Sequence, residues 1–185
     1  APGLDGLPVE LYRRYLDVFA PLLAREYTAM GQRGRVPHGF TTGVIVTFYK
    51  SGPRIQPSNY RPITLLNCDY RVLAKLLACR LRQVQGAVIS SEQTAFLPGR
   101  QIGENIMLLQ LLPQALPSTS TALCVFLDFK KAYDTVSRAF LCRLLGAAGL
   151  GGSFLTWVQL LLQDTLACAC VNGHVSGRVP FAAGV

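Results

Sequence analysis

Apolar positions along this 185-residue chain alternate between helical spacing and a two-residue period, and the changes of period mark out its elements. Leu11, Tyr15, Val18, Leu22 and Tyr27 keep helical spacing between Pro8 and Gly31. Pro21 is expected to kink or split this stretch, so the spacing predicts a two-part opening helix. Residues 42–50 are rich in strand formers (Val44, Ile45, Val46, Phe48, Tyr49). The turn-prone Ser51-Gly-Pro-Arg-Ile-Gln-Pro-Ser58 interrupts them with a turn or mobile loop before residues 59–66 resume extended structure, which predicts a hairpin with a basic loop at its tip. Asn67 or Asp69 is suited to cap the next helix, in which Leu73, Leu76, Leu77, Leu81 and Val84 form one face and Arg71, Lys75 and Arg82 the other. A further helix is expected over residues 102–112, closed by Pro113.

The loop Pro117-Ser-Thr-Ser-Thr121 should lead into a strand where Leu123, Val125 and Leu127 alternate with Cys124, Phe126 and Asp128. Asp134 then stands at the expected start of an amphipathic helix. Ser137 is suited to cap a helix carrying Phe140, Leu141, Leu144 and Leu145 and ending near Gly149. Ser153 is suited to cap one with Phe154, Trp157, Val158, Leu161 and Leu162 on its inward face. Asn172-Gly173, between residues 166–171 and 175–181, is a hairpin signal because a type I′ turn needs positive φ at both central residues. The pattern describes an α+β chain with no internal repeat.

The net charge of +8 sharpens this picture because it is unevenly spread. Lys50, Arg54, Arg61, Arg71, Lys75, Arg80 and Arg82 face only one acid, Asp69, within residues 50–82, leaving +6 there. A polyanion such as a phosphate backbone is the matching partner, and a solvated, solubilising face is the plainer alternative. With no initiator Met, signal peptide or long apolar span, the chain is expected to be an internal fragment of a soluble, intracellular protein without a membrane partner. Six cysteines lack Cys-x-x-Cys spacing and read as reduced, mostly buried thiols. His38 and His174 have no metal-ligand spacing, and neither a Gly-x-x-x-x-Gly-Lys loop nor a Gly-x-Ser-x-Gly elbow is present.

The chemistry concentrates in Phe126-Leu-Asp-Phe-Lys-Lys-Ala-Tyr-Asp134. An ionised carboxylate at a strand end needs a cation or N–H donors beside it, because burying it bare costs several kcal/mol. Taken alone, Asp128 reads either as a cap, the commoner fate, or as a ligand for a hard cation. Other segments bear on that choice. Ala1-Pro-Gly-Leu-Asp-Gly-Leu-Pro-Val-Glu-Leu-Tyr12, Asn59-Tyr-Arg-Pro-Ile-Thr-Leu-Leu-Asn67, Glu92-Gln-Thr-Ala-Phe-Leu-Pro-Gly-Arg100, the Asp128 segment, Val171-Asn-Gly173 and Gly184-Val185 occur in the order of motifs in one family. The chain resembles the reverse transcriptase domain of LINE-type non-LTR retrotransposons, essentially end to end.

That resemblance implies an incomplete right-hand polymerase fold, α+β, with an antiparallel sheet packed on helices. Residues 1–121 would be the fingers and opening segments, and residues 122–185 the first part of the palm. It implies that Asp128 is a catalytic metal ligand, with the carbonyl of Phe129 as a further contact to Mg2+, two such ions acting in the intact enzyme. Tyr133 would be the gate beneath the nucleotide sugar, and Arg61 the triphosphate contact through its planar fork, with Lys50 as the second. Gln93, Gly99 and Arg100 would line the template path; a surface salt bridge is the plainer role for Arg100. Asp134 reads equally as a helix cap, and Lys130 with Lys131 as a solvated pair. Implied partners are an RNA template, a DNA primer or target site, dNTPs and the remainder of a retrotransposon polyprotein. The implied location is intracellular, in nucleus and cytoplasm. No Asp-Asp pair is present, so the 185 residues alone are expected to be inactive and poorly soluble. The rival reading is a nucleic-acid-binding remnant that has lost polymerase activity; a group II intron maturase matches the wording of the motifs less well.

Overall fold

A computed structural model describes residues 1–117 and 123–184. The expected loop over residues 118–121 and the expected boundary between residues 121 and 122 lie outside the described residues, as does Val185. The chain groups into two compact units, residues 1–79 with 132–185, and residues 80–131.

The first unit opens with α1 (Val9–Arg14) and α2 (Leu16–Arg33). The split predicted near Pro21 occurs instead at Tyr15, whose φ of −120° and ψ of 46° end α1, while Pro21 is held inside α2. Breaking at Tyr15 resets the phase of the stripe. Tyr12, Tyr27 and Met30 are buried, and the predicted face residues Tyr15, Val18 and Leu22 are exposed. Gly34, at φ 62°, ends α2 in the left-handed conformation that a residue without Cβ adopts freely.

Strands β1 (Thr42–Tyr49), β2 (Tyr60–Leu65), β3 (Leu166–Val171), β4 (His174–Val175) and β5 (Val179–Pro180) form a sheet in the order β2-β1-β3-β4, with β5 also on β3. β1 and β2 pair antiparallel, Phe48 opposite Arg61, whereas β1 and β3 pair parallel, Val44 opposite Cys168. The sheet is therefore mixed rather than purely antiparallel. Strands so distant in sequence are joined by a crossover long enough to bring them together in the same direction. At the hairpin tip, of the turn and the mobile loop that the sequence allows, the turn is found, tied down by its own contacts. Tyr49 and Tyr60 meet edge to face at 5.6 Å, their hydroxyls donate to the carbonyls of Gly52 and Arg54, and the Arg54 guanidinium lies 4.9 Å from the Tyr49 ring centre.

The core joins Tyr27, Met30, Phe40, Leu73, Leu77 and Leu161. These residues come from α2, the segment before β1, α3 (Cys68–Val88) and α6 (Gly152–Leu162). Gly31 lets the Trp157 ring close on α2, since a Cβ there would stand 3.0 Å from the indole. The carbonyl of Asn67 accepts the Arg71 N–H at 3.1 Å to start α3, while its side-chain oxygen takes the Asp5 N–H at 3.3 Å. α5 (Arg138–Ala147) starts where Ser137 accepts the Phe140 N–H at 3.3 Å, as the sequence predicts. Residues 131–135 form turns, so Asp134 does not begin this helix. Contrary to expectation, Phe140 and Leu144 of α5 stay exposed. Asn172 (φ 51°) and Gly173 (φ 82°) make the predicted turn. The arm expected over residues 175–181 is broken into β4 and β5, and between them Ser176 is held to β3 by its N–H on the Ala169 carbonyl and by its hydroxyl, which takes the Ala169 N–H.

The second unit contains the end of α3, α4 (Gly103–Ala115) and the segment approaching Lys131. α4 runs through Pro113 to Ala115, its last turn tolerating the missing donor that was expected to stop it. The strand predicted to end at Asp128 is absent: residues 123–129 join no ladder. A strand exists only where a neighbouring backbone supplies partners, and none among the described residues pairs with this one. Leu123, Phe126 and Leu127 are consequently exposed. Of the cysteines, only Cys68 and Cys168 are buried, Cys79 and Cys124 are exposed, and all six are free thiols. The expectation of mostly buried thiols therefore holds for only two of the six, with Cys142 and Cys170 half-buried. No helix among the described residues is long and apolar enough to cross a membrane.

Candidate active site

One face of the sheet carries a cavity of about 390 Å³, floored by Ile45, Thr64 and Ala169 and walled by Ser176, Phe181 and Asp134. Period-two alternation sends Ile45, Pro62 and Thr64 to this face and Arg61 and Ile63 to the other. Asp134 reaches the cavity from the turn before α5, and Ala183 and Gly184 close the wall beside it. Gly184 stands at φ 85°, and a Cβ on it would lie 3.1 Å from the Cα and carbonyl oxygen of Asp134 and from the carbonyl oxygen of Tyr133. Glycine suits this approach, because its φ of 85° is left-handed and it puts no Cβ against the Asp134 backbone. The Gly184 N–H donates to the Val136 carbonyl at 2.9 Å, and Ser137 bridges Ala183. Tyr133, expected beneath a nucleotide sugar, sits at this junction with its side chain exposed.

Lys50 and Arg61 come together at the hairpin tip. The Lys50 N–H donates to the Asn59 carbonyl at 2.8 Å, Arg61 lies opposite Phe48, and both side chains are exposed. Arg54 joins them there through the loop contacts described above, a cation that the sequence reading counted but did not single out. The opening segment docks on the far end of the same hairpin's sequence. Gly3 packs against Asn67, and the Cys68 thiol donates to the Leu7 carbonyl at 3.3 Å.

In the second unit Asp128 and Phe129 lie exposed on the unpaired segment. The Gln93 side chain donates to the Ala95 carbonyl at 3.1 Å, and Gly99 adopts φ 76° with open space around it. The Arg100 guanidinium donates to the carbonyls of Ser90, Gln93 (2.7 Å) and Ile89 (3.2 Å). It gathers the chain that leaves α3 rather than forming the surface salt bridge considered from sequence. No group of three His, Cys, Asp or Glu side chains able to hold a metal ion occurs among the described residues. Asp128 with one carbonyl does not make a complete metal site.

Electrostatic strain collects instead around α3. Burial, with the nearby Asp69 charge, pushes the Tyr12 phenol up to about 12. Burial likewise raises Tyr27, Tyr70 and Asp69, the last opposed by the hydrogen bond that its carboxylate accepts from the Tyr70 N–H. Burial lowers Arg138 while Tyr70 pulls it back.

Residues 49–185 match the family described as reverse transcriptase (RNA-dependent DNA polymerase). The chain belongs to the reverse transcriptase family. It is 30% identical over its whole length to the transposon TX1 uncharacterized 149 kDa protein of Xenopus laevis, of which the match covers 14%. It is 30% identical, over 89% of its length, to the retrovirus-related Pol polyprotein from type-1 retrotransposable element R2 of Popillia japonica, covering 22% of that protein. A probable RNA-directed DNA polymerase from transposon BS of Drosophila melanogaster is 28% identical over 74% of the chain. These names bear out the non-LTR resemblance and the polymerase assignment at the level of the family, and the mixed α and β elements fit part of its fold. Reverse transcriptases generally use divalent metal ions, and this chain spans between 14% and 22% of the first two relatives.

Arg138 is the functional candidate that the sequence reading missed. An arginine just after a capping serine reads as surface charge. Only the fold brings acceptors to it.

Proposed function

We propose that these residues are the fingers and the first part of the palm of a non-LTR retrotransposon reverse transcriptase, which extends a DNA primer or target-site end on an RNA template within a larger polyprotein. The observation that carries the reading is the backbone contact of Gly184 with Tyr133 and Asp134 at the mouth of the cavity. Two of the motif segments named from sequence, about fifty residues apart, meet there backbone to backbone. In this reading Asp128 is the carboxylate that the chain gives to a bound Mg2+, with the Phe129 carbonyl beside it. The remaining carboxylates come from outside these residues, and the 185-residue chain alone is inactive. Tyr133 is the sugar gate, Arg61 and Lys50 hold the triphosphate, and Gln93, Gly99 and Arg100 border the template. Arg100 does so through its backbone, because its guanidinium is committed to carbonyls. The protein works inside the cell, in the nucleus when it copies onto target DNA.

The test is primer extension by the intact polymerase that carries this chain, supplied with an RNA template, an annealed DNA primer, dNTPs and Mg2+. The wild type extends the primer, and Asp128→Asn reduces extension by about three orders of magnitude or more, as losing a charged ligand in a transition-state site does. Equal extension by both proteins defeats the assignment of Asp128. Tight nucleic-acid binding without any extension by the wild type identifies a remnant instead.

A further inference from the structure

Arg138 opens α5, and its guanidinium donates to four acceptors from two other stretches of chain. Nε reaches the Gly184 carbonyl at 2.9 Å. Nη1 is shared among the Leu162 carbonyl (2.6 Å), the Thr165 hydroxyl (2.8 Å) and the Phe181 carbonyl (3.2 Å). The guanidinium also lies 5.0 Å from the centre of the Phe181 ring, and the Thr165 hydroxyl donates to the Phe181 carbonyl at 2.7 Å. No carboxylate is among these partners. A fixed fork of donors that meets only neutral oxygens and one ring face holds backbone in place rather than cancelling a charge.

The backbone it holds is the wall of the cavity. Residues 181–184 run between the guanidinium on one side and the Tyr133 to Val136 backbone on the other. The Gly184 N–H is bonded to Val136, and a Cβ at Gly184 would press on Asp134 at 3.1 Å. Phe181, Ala183, Gly184 and Asp134 all line the cavity, whereas Arg138 does not. Loosening Arg138 therefore weakens the hold on the wall without removing any group that faces the cavity. Backbone contacts also hold this stretch, through the Ser137–Ala183 bridge, the Gly184 N–H on Val136 and the Phe181 N–H on Thr165, and Arg138 is the side chain of α5 that joins its two ends.

We propose that Arg138 is a positioning residue for nucleotide binding: by clamping residues 181–184 against the turn at Tyr133 and Asp134, it sets the width of the cavity and the placement of the tyrosine. The inference rests on the polymerase reading for its substrate, but the clamp is a claim about this chain's backbone that stands apart from activity. Lysine can reach one or two of these oxygens but lacks the planar fork, and glutamine loses the charge as well, so the two substitutions are graded.

The experiment compares wild type, Arg138→Lys and Arg138→Gln in the intact polymerase, using hydrogen exchange and steady-state primer extension with dNTPs and rNTPs. In Arg138→Gln the amides of Gly184, bonded to Val136, and of Phe181, bonded to Thr165, exchange faster, while those inside α2 keep their wild-type protection. The KM for dNTP rises about tenfold and discrimination against rNTP falls, with kcat changing much less and Arg138→Lys in between. Gly184→Ala, which forces the same wall outward with Arg138 intact, reproduces the KM shift. Unchanged protection at Gly184 and Phe181 overturns the clamp. So does a loss of protection that extends through α2, which marks a general structural role, or a KM within about twofold of wild type despite a freed wall. If the wild type extends no primer, the polymerase reading fails, and the exchange pattern alone decides the clamp.

Discussion

Replacing Met30 with alanine tests whether the core described for the first unit is what holds it together. Met30 is 1% exposed and packs among Tyr27, Phe40, Leu73, Leu77 and Leu161. Truncation removes the γ-methylene, the sulfur and the ε-methyl. At about 0.8 kcal/mol for each methylene-sized group, the transfer loss is roughly 2.4 kcal/mol. The surrounding helices are fixed by other contacts and cannot fully collapse, so a residual cavity of about 50 Å³ adds roughly 1.2 kcal/mol. The expected destabilisation is thus about 3 to 4 kcal/mol, a large share of the roughly 5 to 15 kcal/mol that holds an ordinary domain together. Urea denaturation of the purified chain followed by circular dichroism measures it, provided that the slope of the transition is unchanged between proteins. Leu16→Ala is the control, since Leu16 is 61% exposed and its truncation is expected to cost under about 1 kcal/mol. A Met30→Ala loss within about 0.5 kcal/mol of that control refutes the core assignment.

Two further outcomes are expected. The folded chain raises Tyr12 from 10.0 to about 12, so it holds the phenolic proton more tightly than the unfolded chain does. That contribution is complete below pH 10 and is lost as the pH rises through about 12. Denaturation midpoints of the wild type should fall over that window, and Tyr12→Phe should fall less steeply; parallel curves contradict the burial of this phenol. In the intact polymerase, Tyr133→Ala should raise ribonucleotide incorporation relative to dNTPs by about tenfold or more, because the lost ring no longer meets a 2′-hydroxyl. Unchanged sugar selectivity in competition assays removes Tyr133 from the gate.

Much of the fold is visible in local pattern. The β1 and β2 hairpin, α3, the Ser137 cap and the Asn172-Gly173 turn all rest on interactions within a few residues, so propensity and turn chemistry are enough to find them. The failures have a common cause. The alternation of residues 123–128 shows a capacity to form a strand, but a ladder needs a second backbone that local sequence does not name. The break of the opening helix falls at Tyr15 rather than at Pro21, which leaves Tyr15, Val18 and Leu22 exposed while Tyr12 and Met30 are buried beside the expected Tyr27. Arg100 and Arg138 are alike in sequence, isolated cations near helix ends, and nothing local shows that both spend their guanidinium on carbonyl oxygens.

The sequence by itself determined the family, because the order and identity of its polar motif residues survive whatever the packing does. It also determined the types of most helices and turns, through short-range hydrogen bonding and periodicity. The tertiary structure decided the rest. It paired β1 with β3 in parallel, seated Gly184 against the backbone of Tyr133 and Asp134, and turned Arg138 from an apparent surface charge into the tie for a cavity wall. Each of these joins groups separated by tens of residues, and the free energy of such contacts depends on where the whole chain closes rather than on any neighbouring side chain.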